Sequence, residues 1–319
     1  MTDVLLVTRS ALPEGEVGGA SLVEELAARG VSAQWVAWDD PQVDWSAARL
    51  VAVRSQWDYD RRRDEFLAWA RSVPLCQAEA TTRLVNSARV LEWNAAKVYL
   101  LDLITSGLPV VPTLPAEDEG ELAPAIASFG TAVVKPRVGA SGRGVVLFDG
   151  RPGGEQALDE SRLEPGPWVV QPLVESIRTE GETSVFVFGG APVSAVQKLP
   201  GSGETRVHEW HGGRSVTAPV TDEAAALARR TVAVAEKLLD VPLPYARVDM
   251  MRLDDGTLVV SELEVTEPGV YLDIVPRTRR RMRTRWRPCS RTARAIKWPE
   301  SVSASPPETP SHQRGSLRL

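Results

Sequence analysis

Residues 247–264, Arg-Val-Asp-Met-Met-Arg-Leu-Asp-Asp-Gly-Thr-Leu-Val-Val-Ser-Glu-Leu-Glu, read as two alternating strands joined at Asp255-Gly256, a dipeptide that favours a two-residue hairpin turn. With that turn setting the register, Asp249 faces Glu262 and Arg247 faces Glu264. Side chains alternate between faces, so these four share one side of the hairpin while Val248, Met250 and Leu263 take the other. Carboxylates opposed across an antiparallel pair lie about 5 Å apart at Cβ and repel unless neutralised. Magnesium, or manganese, suits hard oxygen donors of this kind and keeps positions for water and phosphate oxygens. Arg247 beside them can stabilise charge on a phosphoryl group in transfer. A solvated acidic face balanced by Arg247 is the plainer alternative. It explains the polarity, but not why three acids and one arginine gather opposite an apolar face.

A second segment bears on the same chemistry. Ala132-Val-Val-Lys-Pro136 is a buried-strand pattern ending on Lys135, followed by Gly139-Ala-Ser-Gly-Arg-Gly144 and the apolar run 145–148. The order strand, glycine loop, strand excludes a Walker loop and a dinucleotide turn, both of which open a helix. Glycines at 139, 142 and 144, with Ser141 between, allow a hairpin loop to fold over a triphosphate with N–H groups inward, and Lys135 then reaches a phosphate from beneath. An ordinary glycine-rich hairpin is the alternative reading of this motif alone. Trp168-Val-Val-Gln-Pro-Leu-Val174 reads as a strand running into a linker. Its last residues, Gln171, Leu173 and Val174, can present backbone groups to an adenine edge, and Glu182 can accept from ribose hydroxyls. Residues 184–198 turn at Gly189-Gly190 and end on Lys198, a further candidate phosphate contact. His208 and His211 fall in a polar loop and read as solvated, not as ligands.

The amino-terminal part alternates strand and helix, with strands at 4–8, 31–38 and 50–53 and helices at 21–29 and 64–70, an α/β beginning. The first loop, Glu14-Gly-Glu-Val-Gly-Gly19, lacks the glycine spacing of a nicotinamide site and carries two acids that would repel a pyrophosphate. Arg54-Ser-Gln-Trp-Asp-Tyr59 follows the third strand at the sheet edge where open α/β sheets bind ligands, so Arg54, Trp57, Asp58 and Tyr59 are candidate substrate contacts. Packing of Trp57 and Tyr59 on the following helix is the competing reading. One helix is expected over 88–106, stopped by Gly107 and Pro109, then a short strand at 110–113 and a helix near 122–128.

Charge is divided unevenly. Of 37 Lys and Arg and 42 Asp and Glu, residues 277–319 hold 12 and 2, which leaves 25 and 40 for residues 1–276. The body is thus −15 and the tail +10, with seven arginines in positions 277–287. Such a run reads as a non-native end from a shifted reading frame, a solvated tail, or, last in order, a nucleic-acid-binding extension. Nucleic acid is accordingly not an expected partner. Two cysteines exclude a disulfide framework, and no Cys/His spacing suits zinc. The first ten residues carry Asp3 and Arg9 and form neither a secretory core nor a membrane span, so a cytoplasmic location is expected.

Taken in order, the segments from about residue 86 to 276 resemble the ATP-grasp superfamily. The match runs through Lys97, Val134-Lys135-Pro136, the loop 139–144, Gln171 to Val174, Gly181-Glu182, Arg247-Val-Asp249 and Glu262-Leu-Glu264. The resemblance implies an α/β (α+β) fold: an N-terminal α/β domain (1–92), a central lobe with the glycine hairpin (93–170) and a C-terminal lobe with the metal site (171–276). It implies that Lys97 and Lys135 bind phosphates, Gln171 and Leu173 line the adenine pocket, and Glu182 holds the ribose. Asp249, Glu262 and Glu264 would bind magnesium, and Arg247 the γ-phosphate. Many members carry Asn at the position of Glu264. Residues 54–59, 65–69, Trp93-Asn94 and 109–113 look like the group containing the cyclo-ligase of cycloserine biosynthesis. Expected, then, is an ATP- and Mg2+-dependent ligase that joins a small-molecule carboxylate to an amine through an acyl phosphate, compatible with a homo-oligomer. A non-catalytic ATP-binding module, or an inactive product with an altered C-terminus, is the alternative.

Overall fold

The computed structural model describes residues 2–73, 83–149 and 163–275, and the arginine-rich tail lies outside them. The amino-terminal elements are β1 (Val4–Thr8), α1 (Gly19–Ala27), β2 (Ala33–Ala37), β3 (Leu50–Val53), α2 (Arg63–Ser72), β4 (Arg83–Val85) and α3 (Ala88–Asn94). Their strands form a parallel sheet in the order β2-β1-β3-β4. β1 and β3 are buried throughout, as parallel strands covered on both faces must be. Val4 and Leu6 pack with Leu22 and Leu26, whereas Leu5 and Val7 meet Phe66 and Trp69 of α2.

The single helix expected over 88–106 is two. After α3 the chain turns through residues 95–98 before α4 (Tyr99–Thr105). The Lys97 N–H donates to the Arg137 carbonyl at 2.7 Å, while Tyr99 and Leu100 donate to Ala96 and Lys97 three residues back. A tertiary hydrogen bond thereby takes the place of a helical one. The expected strand over 110–113 is a single bridge, Val110 to Val260, because Pro109 and Pro112 have no N–H for a ladder.

The second sheet comprises β5 (Leu114–Ala116), β6 (Thr131–Pro136), β7 (Val146–Asp149) and β8 (Trp168–Pro172) in the antiparallel order β5-β8-β6-β7, with α5 (Glu119–Ala127) against it. Next come α6 (Ser176–Thr179), β9 (Glu182–Phe188), β10 (Ala191–Leu199), β11 (Arg214–Ala218), α7 (Asp222–Leu239), β12 (Tyr245–Arg252) and β13 (Leu258–Glu264). These strands form an antiparallel sheet, β11-β10-β9-β12-β13. β11 and α7 are additions to the elements read from sequence. Thr221 caps α7 by accepting from the Ala224 N–H at 3.2 Å. Ala228, Val232 and Ala235 of α7 bury one face of the sheet with Val185, Val248, Met250 and Leu263, leaving the other face for polar groups.

Candidate active site

Arg247, Asp249 and Glu262 to Glu264 take the expected register, but by a different route. The connection is three residues, 254–256, with Gly256 at φ 83° and the Leu253 N–H donating to the Thr257 carbonyl at 2.9 Å. That shifts the ladder by one, so Met250 pairs with Val260. A bulge at Ser261 shifts it back, so Asp249 pairs with Glu262 and Arg247 with Glu264. The bulge residue is not idle, since the Ser261 hydroxyl donates to Glu182 Oε1 at 2.6 Å.

The three acids bring one carboxylate oxygen each within 4.8 Å of one another. Cations neutralise them. Arg247 donates through Nε and Nη2 to both oxygens of Asp249, at 2.8 and 2.7 Å, and also bonds Glu264. Lys198 Nζ reaches Asp249 at 2.8 Å and Glu182 at 2.5 Å, and Lys97, delivered by the break between α3 and α4, pairs with Glu262. Ser184 adds a 2.6 Å bond to Asp249. Burial opposes the charge on Lys198, yet Asp249 and Glu182 hold its pKa above the ordinary lysine range. Burial likewise works to raise Asp249, but Arg247 and Lys198 hold it below the usual carboxylate range. Glu264 is pushed up to about 7, chiefly by burial, against the opposing charge of Arg247 and with the charges of Glu262 and Asp249 adding to the rise. Lys135 differs from the other cations: burial lowers its pKa, and among the described residues it has no ion-pair partner.

A cavity of about 390 Å³ lies over this cluster. Gly139, Ser141 and Gly142 of the flap line it, as do Lys97, Lys135, Gln171, Leu173, Val174, Glu182, Lys198, Arg247, Glu262 and Glu264. Asp249 lies beneath, 1% exposed and covered by its donors. Gly144 is not on the wall; at φ 63° it packs on Pro136, where an added Cβ would meet Cγ at 2.6 Å. The Leu173 N–H is taken by the Thr131 carbonyl at 2.7 Å, and the Gln171 amide donates to Thr113. The edge expected to meet an adenine ring therefore lacks the Leu173 donor.

Of the four candidate substrate contacts, Trp57 and Tyr59 line the cavity and two do not. Arg54 is fully buried and donates to Glu16 at 2.9 and 2.5 Å, so its contribution is to place Glu16, which is on the wall. Asp58 accepts from the Trp38 indole instead. His208 is not solvated as expected: it lines the cavity, accepts from the Trp210 N–H at 3.2 Å, and is lowered to about 4 by burial and the nearby Lys198 charge. Sequence reasoning also passed over Arg143 and Glu267, both on the wall. Glu267 follows Glu264 closely enough that its place in the run of acids was a usable signal; Arg143 offered none.

Residues 4–86 match the family described as D-cycloserine synthetase DcsG, N-terminal domain, and residues 101–278 match prokaryotic glutathione synthetase, ATP-grasp domain. The chain belongs to the ATP-grasp ligases. It is similar to the cycloserine biosynthesis protein DcsG of Streptomyces lavendulae, 31% identical over 263 residues that cover 79% of this chain and 86% of that protein. The crystal structure of D-cycloserine synthetase DcsG matches with a TM-score of 0.74 at 28% identity, covering 88% of this chain and 97% of that one. Glutathione synthetase of Synechococcus elongatus is 29% identical over 190 residues, 59% of this chain and 55% of that protein, so the likeness spans just over half of the relative. Among the described residues no helix is long and apolar enough to cross a membrane.

Proposed function

We propose that the chain uses ATP and Mg2+ to activate the carboxylate of a small amino-acid-like substrate as an acyl phosphate and to join it to an amine. The observation that carries this is the meeting of three carboxylates, two on the wall and Asp249 just beneath it, with Lys97, Lys135, Lys198 and Arg247 at one cavity under a glycine flap. The donor set fits the metal: three carboxylates with oxygens within 4.8 Å are hard ligands for Mg2+ or Mn2+. A Glu in place of Asn at 264 adds one negative charge to that set. The bound ion supplies charge neutralisation at the phosphates.

In this reading the cations now paired with the acids, together with the unpaired Lys135, are the ones a triphosphate needs. Lys97, Lys135 and Lys198 hold phosphate oxygens, and Arg247 faces the transferring group. Leu173 and Val174 flank the adenine, and Glu182 accepts from the ribose. A substrate carboxylate oxygen attacks the γ-phosphorus as the bond to the ADP oxygen breaks. An amine nitrogen then attacks the acyl carbon, phosphate leaves, and the amine loses a proton. The protein contributes positioning and fixed charge to these steps. Trp57, Tyr59 and Glu16 form the wall nearest the second substrate. The likeness to DcsG favours an amino-acid derivative that closes on itself.

ADP release in the presence of Mg2+ tests this, measured across amino acids and their N- or O-substituted derivatives. Release that depends on one of these compounds is the expected result. Nucleotide binding with no compound-dependent release would make the chain an ATP-binding module instead.

A further inference from the structure

One side chain ties the glycine flap to the amino-terminal sheet. Arg143, between Gly142 and Gly144, donates to Asp60 Oδ2 from Nε at 3.0 Å and from Nη2 at 2.5 Å, and to the Trp57 carbonyl at 2.8 Å. Trp57 passes the connection on, its indole N–H donating to the Glu267 carbonyl at 3.3 Å. Three segments distant in sequence, the flap, the turn after β3 and the chain leaving β13, are therefore bonded in a row, and Trp57, Arg143 and Glu267 all border the cavity. Two charge-assisted donors converging on one carboxylate oxygen make a strong contact. Its removal would be felt: the Asp60 side chain is 8% exposed and its Oδ1 already has no hydrogen-bond partner. A carboxylate so enclosed is costly to leave unpaired, so the turn would open to water.

We propose that Arg143 is a positioning residue that couples the flap over the nucleotide to the Trp57 and Tyr59 wall, so that both close together. The proposal rests on the nucleotide reading of the site. Coupling of this kind is reciprocal, so a nucleotide held by the flap also steadies the turn bonded to it through Arg143. The backbone N–H groups of Tyr59, Arg61 and Arg62 are hydrogen-bonded within that turn and report on it.

Hydrogen exchange of the full chain, with and without AMPPNP and Mg2+, reads this directly. In the wild type, ligand slows exchange at residues 139–144 and at 57–62 together. In Arg143→Ala and in Asp60→Asn the flap still slows, but the response at 57–62 falls at least fivefold. A purely structural role would instead raise exchange at 57–62 equally with and without ligand, and that result overturns the proposal. So does an undiminished response in both variants, or wild-type protection of the flap alone. Absence of any flap protection in the wild type would remove the nucleotide reading itself, and the coupling with it.

Discussion

The Lys198 ammonium lies 2.8 Å from Asp249 and 2.5 Å from Glu182, with its side chain 7% exposed, so one buried cation serves two acids from different strands. Removing it leaves Asp249 to Arg247 and Ser184 alone. Lys198→Met is therefore expected to cost about 1–3 kcal/mol, the range for an unpaired buried polar group, not the larger loss of a charge with no partner at all. Urea unfolding without divalent cation measures it. A change below about 0.5 kcal/mol, within the ordinary scatter of surface substitutions, would mean that the pair contributes nothing to the fold.

Glu267 sets a pH dependence. Burial, reinforced by the Glu264 charge, raises it to about 8 from an ordinary value of 4.5. A carboxyl with a raised folded pKa binds more protons folded than unfolded between those two values. Its stabilisation is thus complete below about pH 4.5 and is lost as pH climbs to 8. The expected decline is on the order of 2 kcal/mol, less than the full shift implies because Glu264 shares the proton. Glu267→Gln should flatten this slope between pH 5 and 8; an unchanged slope would assign it to another group.

Several of these contacts were legible in the sequence, and others were not. The acidic face of β12 and β13 follows from alternation alone, and the expected register is correct at Asp249 and Glu262 because two deviations, a longer turn and the bulge at Ser261, cancel. Hairpin rules see turn residues but not a bulge held by the Ser261 to Glu182 bond. Lys97 is a similar case. Helical spacing continues through it, and only the Arg137 carbonyl, 40 positions on, pulls the chain out of the helix. Arg54 followed a sound rule about sheet edges, yet its partner Glu16 lies 38 residues away and turns it inward. Local periodicity predicts elements; these placements depend on partners that no local window contains.

Lys135 is expected to show opposite effects on stability and binding. It is a half-buried cation with no ion-pair partner among the described residues, and burial lowers its pKa. Lys135→Met keeps most of the volume and removes the unpaired charge, so the ligand-free protein should gain up to about 1 kcal/mol, as surplus charge at binding sites often allows. The same change removes a phosphate contact and should weaken Mg2+-ATP binding about tenfold, equivalent to about 1.4 kcal/mol. Thermal unfolding and calorimetric titration together check this. A loss of stability with unchanged affinity would place the lysine in the scaffold and outside the site.

Asn94 holds the strand that carries the acids. Its Nδ2 donates to the Leu263 carbonyl at 2.7 Å, and its Oδ1 accepts from the N–H groups of Val265 and Thr266 at 3.0 and 3.2 Å and from the Thr266 hydroxyl at 3.0 Å. The residue is 8% exposed, and its side chain serves as donor and acceptor at once, a combination that neither Asp nor Leu supplies. Asn94→Asp replaces the Nδ2 donor with an oxygen facing the Leu263 carbonyl oxygen. It also adds a charge near Glu262 and Glu264, so it should be the more damaging variant, at about 3 kcal/mol or more. Asn94→Ala should cost about 2 kcal/mol, and because Leu263 sits between the two acids, Mg2+ affinity should fall with it. Parallel measurement of unfolding and of Mg2+ binding separates the effects. If stability drops while metal affinity holds, Asn94 secures the core but does not aim Glu262 and Glu264.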